Sequence, residues 1–379
     1  MKRALLSAIP MLLLALAGCG SSGAATSPAS ASGKPGGASS ASATSEWDSV
    51  LAAAKKEGTV SLIGPTGDAR RDSLTQPFQK QYGIQVDYLA DDGAGIGPRV
   101  TAERGANKYL WDAVVTGTTT GLINLGPLKM LDPLEPELML PEVTDPKQWR
   151  GGAIEFVDAA RQIMVMTPFQ RGTLYINRNQ VAPDSITSYK DLLDPKWKGK
   201  LLSDDPRKAG PGQATFTFFY RQPDLGPDFI RALAKQNLTF MTDYSQELDA
   251  VGQGRNPLLI GGSDAIAEQR IKQGVPLAIV DARQIKEGTD ISPASGALSV
   301  FNNRPHPNAA KIYVNWLLSK EGQTSYAVAA GYISARLDVA TDQALPWRLP
   351  AAGAIKTYDQ EAIDLKPKLD ALLKEVLPS

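Results

Sequence analysis

Gln170-Arg-Gly-Thr-Leu-Tyr-Ile-Asn177, Tyr189-Lys-Asp-Leu-Leu-Asp-Pro-Lys-Trp-Lys-Gly-Lys-Leu-Leu202 and Asp204-Asp-Pro-Arg-Lys-Ala-Gly-Pro-Gly-Gln-Ala-Thr-Phe-Thr-Phe-Phe219 follow one another in the middle of the chain. Residues 173–176 alternate small or polar with apolar side chains, the period of a strand. A short helix follows at 189–193 and stops before Pro195, because the residue preceding a proline is pushed out of the helical region. Residues 200–203 read as a second strand. Gly210-Pro211-Gly212 then opens a helix, with proline near its first position, where no N–H is needed. A helix start after a glycine loop presents unpaired N–H groups and the positive end of the helix dipole, a setting for an anionic or polar ligand.

Upstream of this stretch, strand, loop and helix repeat three times. The strands are 59–63, 84–89 and 111–115. The helices are 69–82, closed by Gly83, then 99 to about 107, and a short one from Leu122. A first helix begins at Ser45-Glu-Trp-Asp48, which has the form of a capping box, and ends at Gly58. Such repeats imply a mainly parallel sheet with crossover helices. Ligands of such sheets sit beyond the carboxyl ends of the strands. Downstream, helices are expected at 227–235, 245–251 and 265–273. Strands are expected at 257–260, 277–280 and 296–301, and further helices from Asn308 and across 358–377. Residues 125–148, rich in Pro and Leu, read as irregular surface structure. Gly93-Ala-Gly-Ile-Gly97 matches the first two glycines of a dinucleotide loop but fails its last spacing.

Asp191-Leu-Leu-Asp-Pro-Lys-Trp-Lys-Gly-Lys200 and His306-Pro-Asn-Ala-Ala-Lys-Ile-Tyr-Val-Asn-Trp-Leu-Leu-Ser-Lys-Glu-Gly-Gln323 resemble two segments of bacterial extracellular solute-binding proteins, the receptors of ABC importers. The likeness is to the branch that includes ferric-iron and organic-solute receptors, and it covers roughly Glu46 to the C-terminus. It implies a type II periplasmic-binding-protein fold: two α/β lobes, each a mainly parallel sheet flanked by helices, joined by two crossover strands around a ligand cleft. The expected organisation is lobe 1 at 46–168 and 282–379 and lobe 2 at 169–281. Partners implied are a small-molecule ligand and a membrane permease, with the receptor itself a monomer.

The N-terminus sets the compartment. Lys2 and Arg3 precede an apolar run, residues 4–17, too short to span a membrane. Leu16-Ala17-Gly18-Cys19 resembles a lipobox, which implies a signal peptide at 1–18 and a lipidated Cys19. Residues 19–45, nearly all Ser, Ala and Gly, read as a flexible linker. The folded body is then extracytoplasmic and attached to the membrane by lipid only. Cys19 is the single cysteine, so no intrachain disulfide can form. The 40 basic and 40 acidic residues balance, which gives no signal for nucleic acid.

An enzyme is not expected. The single histidine, His306, lies between prolines at a helix start and reads as a surface residue, far from any nucleophile and base arrangement. The acid pairs Asp91-Asp92 and Asp204-Asp205 read as solvated or capping groups. No catalytic residue, cofactor or metal site is assigned. The candidate ligand contacts are the post-strand loops: Thr66 and Gly67; Ala94, Gly95 and Ile96; Thr118 and Thr119; Gly210, Gly212 and Gln213; Ser263 and Asp264. Arg70, Arg71, Arg171 and Lys208 could add positive charge but read first as solvated. Converging N–H groups and hydroxyls favour a carboxylate or phosphonate ligand. Ferric iron is the alternative, since the family's iron receptors use adjacent tyrosines. Gly261-Gly-Ser-Asp264 stands where that pair is expected, and the chain has no Tyr-Tyr pair. A sensor or structural lipoprotein without transport is the third reading.

Overall fold

The computed structural model describes residues 38–378 except 92, 94, 209, 343 and 351–353, with side chains from Ser45 onward. Cys19, the 1–18 segment and the linker as far as 37 lie outside the described residues. The first elements are α1 (Ala38–Glu57), β1 (Thr59–Gly64), α2 (Asp68–Tyr82), β2 (Gln85–Ala90), α3 (Ile96–Gly105) and β3 (Ala113–Thr116). The first helix therefore begins inside the expected linker, and Ser45 is interior to it rather than its cap. No Pro or Gly occurs between Ala38 and Glu57 to stop a helix from extending back over the alanines. Similarly, α3 starts three residues ahead of expectation, at Ile96. Gly83, at φ 69°, closes α2, with its N–H on Gln79 O.

The middle of the chain holds a six-residue π-helix (Thr120–Leu125), β4 (Leu131–Asp132), α4 (Pro141–Thr144), β5 (Met164–Val165), β6 (Phe169–Gln170), β7 (Leu174–Asn177) and β8 (Leu201–Asp204). After it come α5 (Pro211–Arg221), α6 (Gly226–Ala234), β9 (Thr239–Met241), α7 (Tyr244–Gly252), β10 (Leu258–Ile260), α8 (Asp264–Lys272) and β11 (Leu277–Ile279). The chain ends with β12 (Ile291–Ser292), β13 (Ala297–Phe301), α9 (Pro307–Leu318), α10 (Lys320–Ala330) and α11 (Gln360–Val376). The fold is the two-lobed type II arrangement. One sheet runs β2-β1-β3-β13-β4 with β5 beside β13, and the other runs β11-β7-β10-β8-β9.

Each sheet is mixed rather than mainly parallel. In the first, β1 pairs in parallel with β2 and β3, but β13 is antiparallel to β3, β4 and β5. In the second, β8 is parallel to β9 and β10, whereas β7 is antiparallel to β10 and β11. The strands that run against the repeats are β7 and β13, by which the chain enters each lobe from the other. The 277–280 segment, expected to lead back to the first lobe, instead completes the second sheet as β11.

Between the sheets lies an antiparallel pair, β6 with β12. It decides where the site is. Val165, at the end of β5, stands across β13 from Ala297, which also faces Thr116 at the carboxyl end of β3. Nine residues on, Leu174 opens β7 opposite Ile260, the carboxyl end of β10. The return leaves from Ile279 and re-enters at Ala297. The carboxyl edges of the two sheets therefore open toward the same connecting ribbon. A third passage accompanies these two: Ile291 N–H donates to Ile355 O at 2.8 Å, and Ile291 bridges Lys356 in parallel.

That passage delivers α11 to the second lobe, not to the first as the 282–379 assignment has it. Leu369, Leu372, Leu373 and Leu377 sit in one buried cluster with Phe216, Phe218, Phe219 and Phe229 of α5 and α6. Spacing of three and four residues puts these leucines on one helix face. Which lobe offers the matching apolar surface is a tertiary matter. The first lobe's core gathers Phe78, Tyr313 and Trp316, whose rings are 4.9–5.5 Å apart, with β1, β3 and β13.

Candidate ligand cleft

On the first lobe, three loops leave the carboxyl ends of β1, β2 and β3. Thr66 and Gly67 are exposed between β1 and α2, and Gly67, at φ 103°, has open space where a Cβ would stand. In the next loop Asp91 Oδ1 accepts the Gly93 N–H at 2.8 Å. Gly93, at φ 112°, lies so close to the third loop that a Cβ would be 2.5 Å from Thr120 Oγ1. The second and third loops therefore form one surface. Gly95 and Thr119 are exposed on it, whereas Thr118 is buried. Ile96 is fully buried in the cluster with Ile63, Val100 and Val114, so its side chain serves the core and does not face the cleft. Ala94 lies outside the described residues.

On the second lobe, the loops after β8 and β10 touch. A Cβ on Gly261 would lie 2.8 Å from Gly212 Cα. Gly210 and Gln213 are half-buried and Gly212 is buried. The Gly212 N–H is already occupied, donating to Asp204 Oδ2 at 2.6 Å. Of the two roles expected for Asp204-Asp205, capping holds for Asp204, at the start of α5, and solvation does not: both are buried, and Asp205 pairs with Arg207 at 2.8 Å. Ser263 is the residue ahead of α8, and its hydroxyl makes no capping bond. Asp264 is engaged within the protein. Its carboxylate accepts the Gly172 N–H at 3.2 Å, and its Oδ1 lies 2.9 Å from the Tyr175 hydroxyl.

Two arginines lie where the lobes meet. Arg171, read from sequence as solvated, has a side chain only 8% exposed and pairs with fully buried Asp290 at 3.1 Å. It also donates to Pro211 O and Thr215 Oγ1, tying the crossover to the start of α5. Arg348 came from no sequence signal. It is buried between the rings of Phe169 and Trp347, each 5.4 Å away. It donates to Gly331 O, at the end of α10, and ion-pairs at 2.5 Å with Glu268 of α8. Phe169 stacks on Tyr332 at 4.8 Å, and Arg70 lies over the other ring of that contact, Tyr332, at 5.6 Å. A line of side chains thus runs from the start of α2 to the start of α8. Arg71 pairs with Asp68 and Asp72, and Lys208 is exposed. His306 is no free surface residue: its Nδ1 lies 2.9 Å from Asp112 Oδ2, in a wholly buried carboxylate.

Capping is missing from three of the four helices that start at the two edges. Of those that start there, α2, α3 and α8 have no side chain of their preceding residue on their first N–H groups, whereas Asp204, from the end of β8, closes α5 at the Gly212 N–H. Helices starting elsewhere are closed: α7 by Asp243, α10 by Ser319, α11 by Asp359 and α9 by Glu57. The exceptions are α6, with Pro227 in its first turn, and α4, with Pro141 at its start. A helix terminus leaves four N–H groups to be satisfied by side chains, water or ligand. Among the described residues, no group of three or more His, Cys, Asp or Glu is placed to hold a metal ion.

Comparison with known proteins agrees with this architecture. The chain is 22% identical over 262 residues to an uncharacterized protein of Haemophilus influenzae, covering 66% of this chain and 70% of that one. It is similar to the periplasmic binding protein AfuA of Actinobacillus pleuropneumoniae with fructose-6-phosphate bound, at TM-score 0.61, 18% identity, and 84% and 98% of the two chains. It is similar to ferric iron-binding protein A of Mannheimia haemolytica in an open conformation, at TM-score 0.66, 16% identity, and 84% and 98% coverage. The profile described as bacterial extracellular solute-binding protein matches residues 73–354. The chain belongs to the bacterial extracellular solute-binding protein family.

Proposed function

We propose that the protein captures a small organic anion, a carboxylate or an organic phosphate or phosphonate, between its lobes and delivers it to an ABC permease. The observation that carries this reading is the capping contrast: α2, α3 and α8, at the two facing edges, begin without a side-chain cap from the residue before them, whereas α7, α9, α10 and α11, which start elsewhere, are closed. Anionic oxygens complete such N–H groups and meet the positive dipole ends. Thr66, Gly67, Gly95, Thr119 and Ser263 supply hydroxyls and backbone donors at those edges. Gly212 enters as a wall of the site rather than as a donor, because Asp204 holds its N–H. The sugar phosphate in the similar AfuA structure is of the same chemical class.

Ferric iron, bound by the similar Mannheimia protein, fits less well. It needs anionic oxygen ligands, above all phenolates. Tyr175 is buried with its hydroxyl 2.9 Å from Gly172 O, Gly262 O and Asp264 Oδ1. Burial, then the adjacent carboxylate, pushes its ionisation well above the usual tyrosine range.

A thermal-shift panel of carboxylates, phosphonates, sugar phosphates, amines, sugars and ferric citrate tests the reading. A compound at a hundred times its dissociation constant adds about 2.7 kcal/mol of stability. A raised midpoint with organic acids or phosphates alone supports it; a response to ferric salts alone replaces it with iron. We also propose that Cys19 carries a lipid that tethers the body to the membrane surface. Labelling with radioactive palmitate should mark the wild-type protein and be lost in Cys19→Ser; a labelled variant removes the anchor assignment.

A further inference from the structure

We propose that Asp204 and Glu247 share one proton at neutral pH, and that this pair positions the Gly210–Gly212 loop at the cleft edge. Asp204 ends β8 and Glu247 lies on α7, wholly buried. The two carboxyls are neighbours, placed to hydrogen-bond once either one holds a proton. Among the described residues, no N–H or O–H reaches either Glu247 oxygen. Two carboxylates repel, so a bond between them exists only when one holds a proton and donates it to the other. Glu247, lacking any other donor, carries that proton. Asp204 receives it and keeps Oδ2 for the Gly212 N–H at 2.6 Å. The loop is thus held from below by the pair. A Cβ on Gly212 would meet Asp204 O at 2.3 Å, so the contact leaves no slack.

The charged surroundings are few. Arg171, from the turn ahead of β7, attracts Asp204; Asp205, next in the chain, opposes it. Asp243, at the start of α7, further opposes ionisation of Glu247. The Tyr244 hydroxyl stands 2.7 Å from where a Gly210 Cβ would be, against the same loop. Burial is the largest cause on both carboxyls, pushing Asp204 up to about 6 and Glu247 up to about 8. Both shifts have one sign: the native pair holds a proton that the unfolded chain has released. Its contribution is therefore full in acid, falls as pH rises, and is gone above about 8. The loop then loses its hold, and the second lobe loses its wall of the site.

This consequence for binding rests on the proposed function, but the test needs no ligand, so the two can fail separately. In the purified protein, protection of the Gly212 amide from hydrogen exchange, corrected for the intrinsic rate, is followed from pH 6 to 9.5. Protection should fall by about tenfold through pH 8, the loss of one bond to a charged acceptor. Glu247→Gln, which donates without titrating, should flatten the profile. A flat profile in the wild type, or an unchanged fall in Glu247→Gln, overturns the proposal. A second measurement uses the wild type alone. The Glu247 carboxyl carbon, followed by NMR, should keep its protonated shift past pH 7, and titration in the ordinary glutamate range overturns the shared proton whatever the variant does.

Discussion

Replacing Arg171 by methionine should lower folding stability by about 3–5 kcal/mol, because it strands a buried carboxylate. Asp290 is fully buried, and its Oδ2 accepts from Arg171 Nε at 3.1 Å and from Thr357 Oγ1 at 3.1 Å. Its Oδ1 has no partner among the described residues. Without the guanidinium, one hydroxyl would remain to solvate a charge in the interior. The damage falls where the lobes meet. Arg171 precedes β7, Asp290 precedes β12, and Thr357 lies on the third passage. Urea unfolding with linear extrapolation measures the loss. The double variant Arg171→Met with Asp290→Asn should recover much of it, since the second change removes the stranded charge. A single variant within about 1 kcal/mol of wild type, or a double variant no better than the single, would mean that the pair is not what holds this junction.

Gly212→Ala carries the second large effect. Its Cβ would lie 2.3 Å from Asp204 O and 2.7 Å from Asp204 C, both backbone atoms at the end of a paired strand. Neither can turn aside as a flexible side chain would. Overpacking of this kind costs about 1–3 kcal/mol. Relief has one direction, a shift of the 210–212 loop outward into the cleft. Binding of whichever compound raises the midpoint in the panel should therefore be lost together with the stability. Gly67→Ala is the contrast. Its Cβ meets nothing within 4 Å, so only the strain of φ 103° remains, about 1–3 kcal/mol for a residue held in that region. The measurements are urea unfolding and the midpoint response of both variants. A Gly212→Ala protein with wild-type stability and an intact response would show that the loop is free to move and that the cleft wall lies elsewhere.

The amino-acid sequence by itself determined the elements and the order in which they meet the cleft. Strand and helix periods, Gly58 and Gly83 after their helices and Pro211 at the start of α5 are local, and each acts over a few residues of backbone. Strand followed by loop followed by helix is enough to put Thr66, Gly95, Thr119, Gly212 and Ser263 at carboxyl ends of strands. Ile96 belongs to the core and not to the cleft because α3 starts three residues earlier than the local pattern predicts, which turns its side chain inward. The tertiary structure decided everything that depends on surface matched to surface. The α11 leucines form an apolar stripe that either lobe could bury, and only the Phe216–Phe229 cluster selects the second. Arg171 and Asp290 are 119 residues apart, and nothing near either one announces a buried partner. Arg348 reaches Glu268 only because the turn that carries it docks on β6, where Gln170 Nε2 donates to Trp347 O. The Asp204–Glu247 proton exists because α7 lays a carboxyl over the end of β8, away from water. Charge, burial and protonation are set by what folding brings within a few ångströms, and a sequence lists neighbours along the chain, not across it.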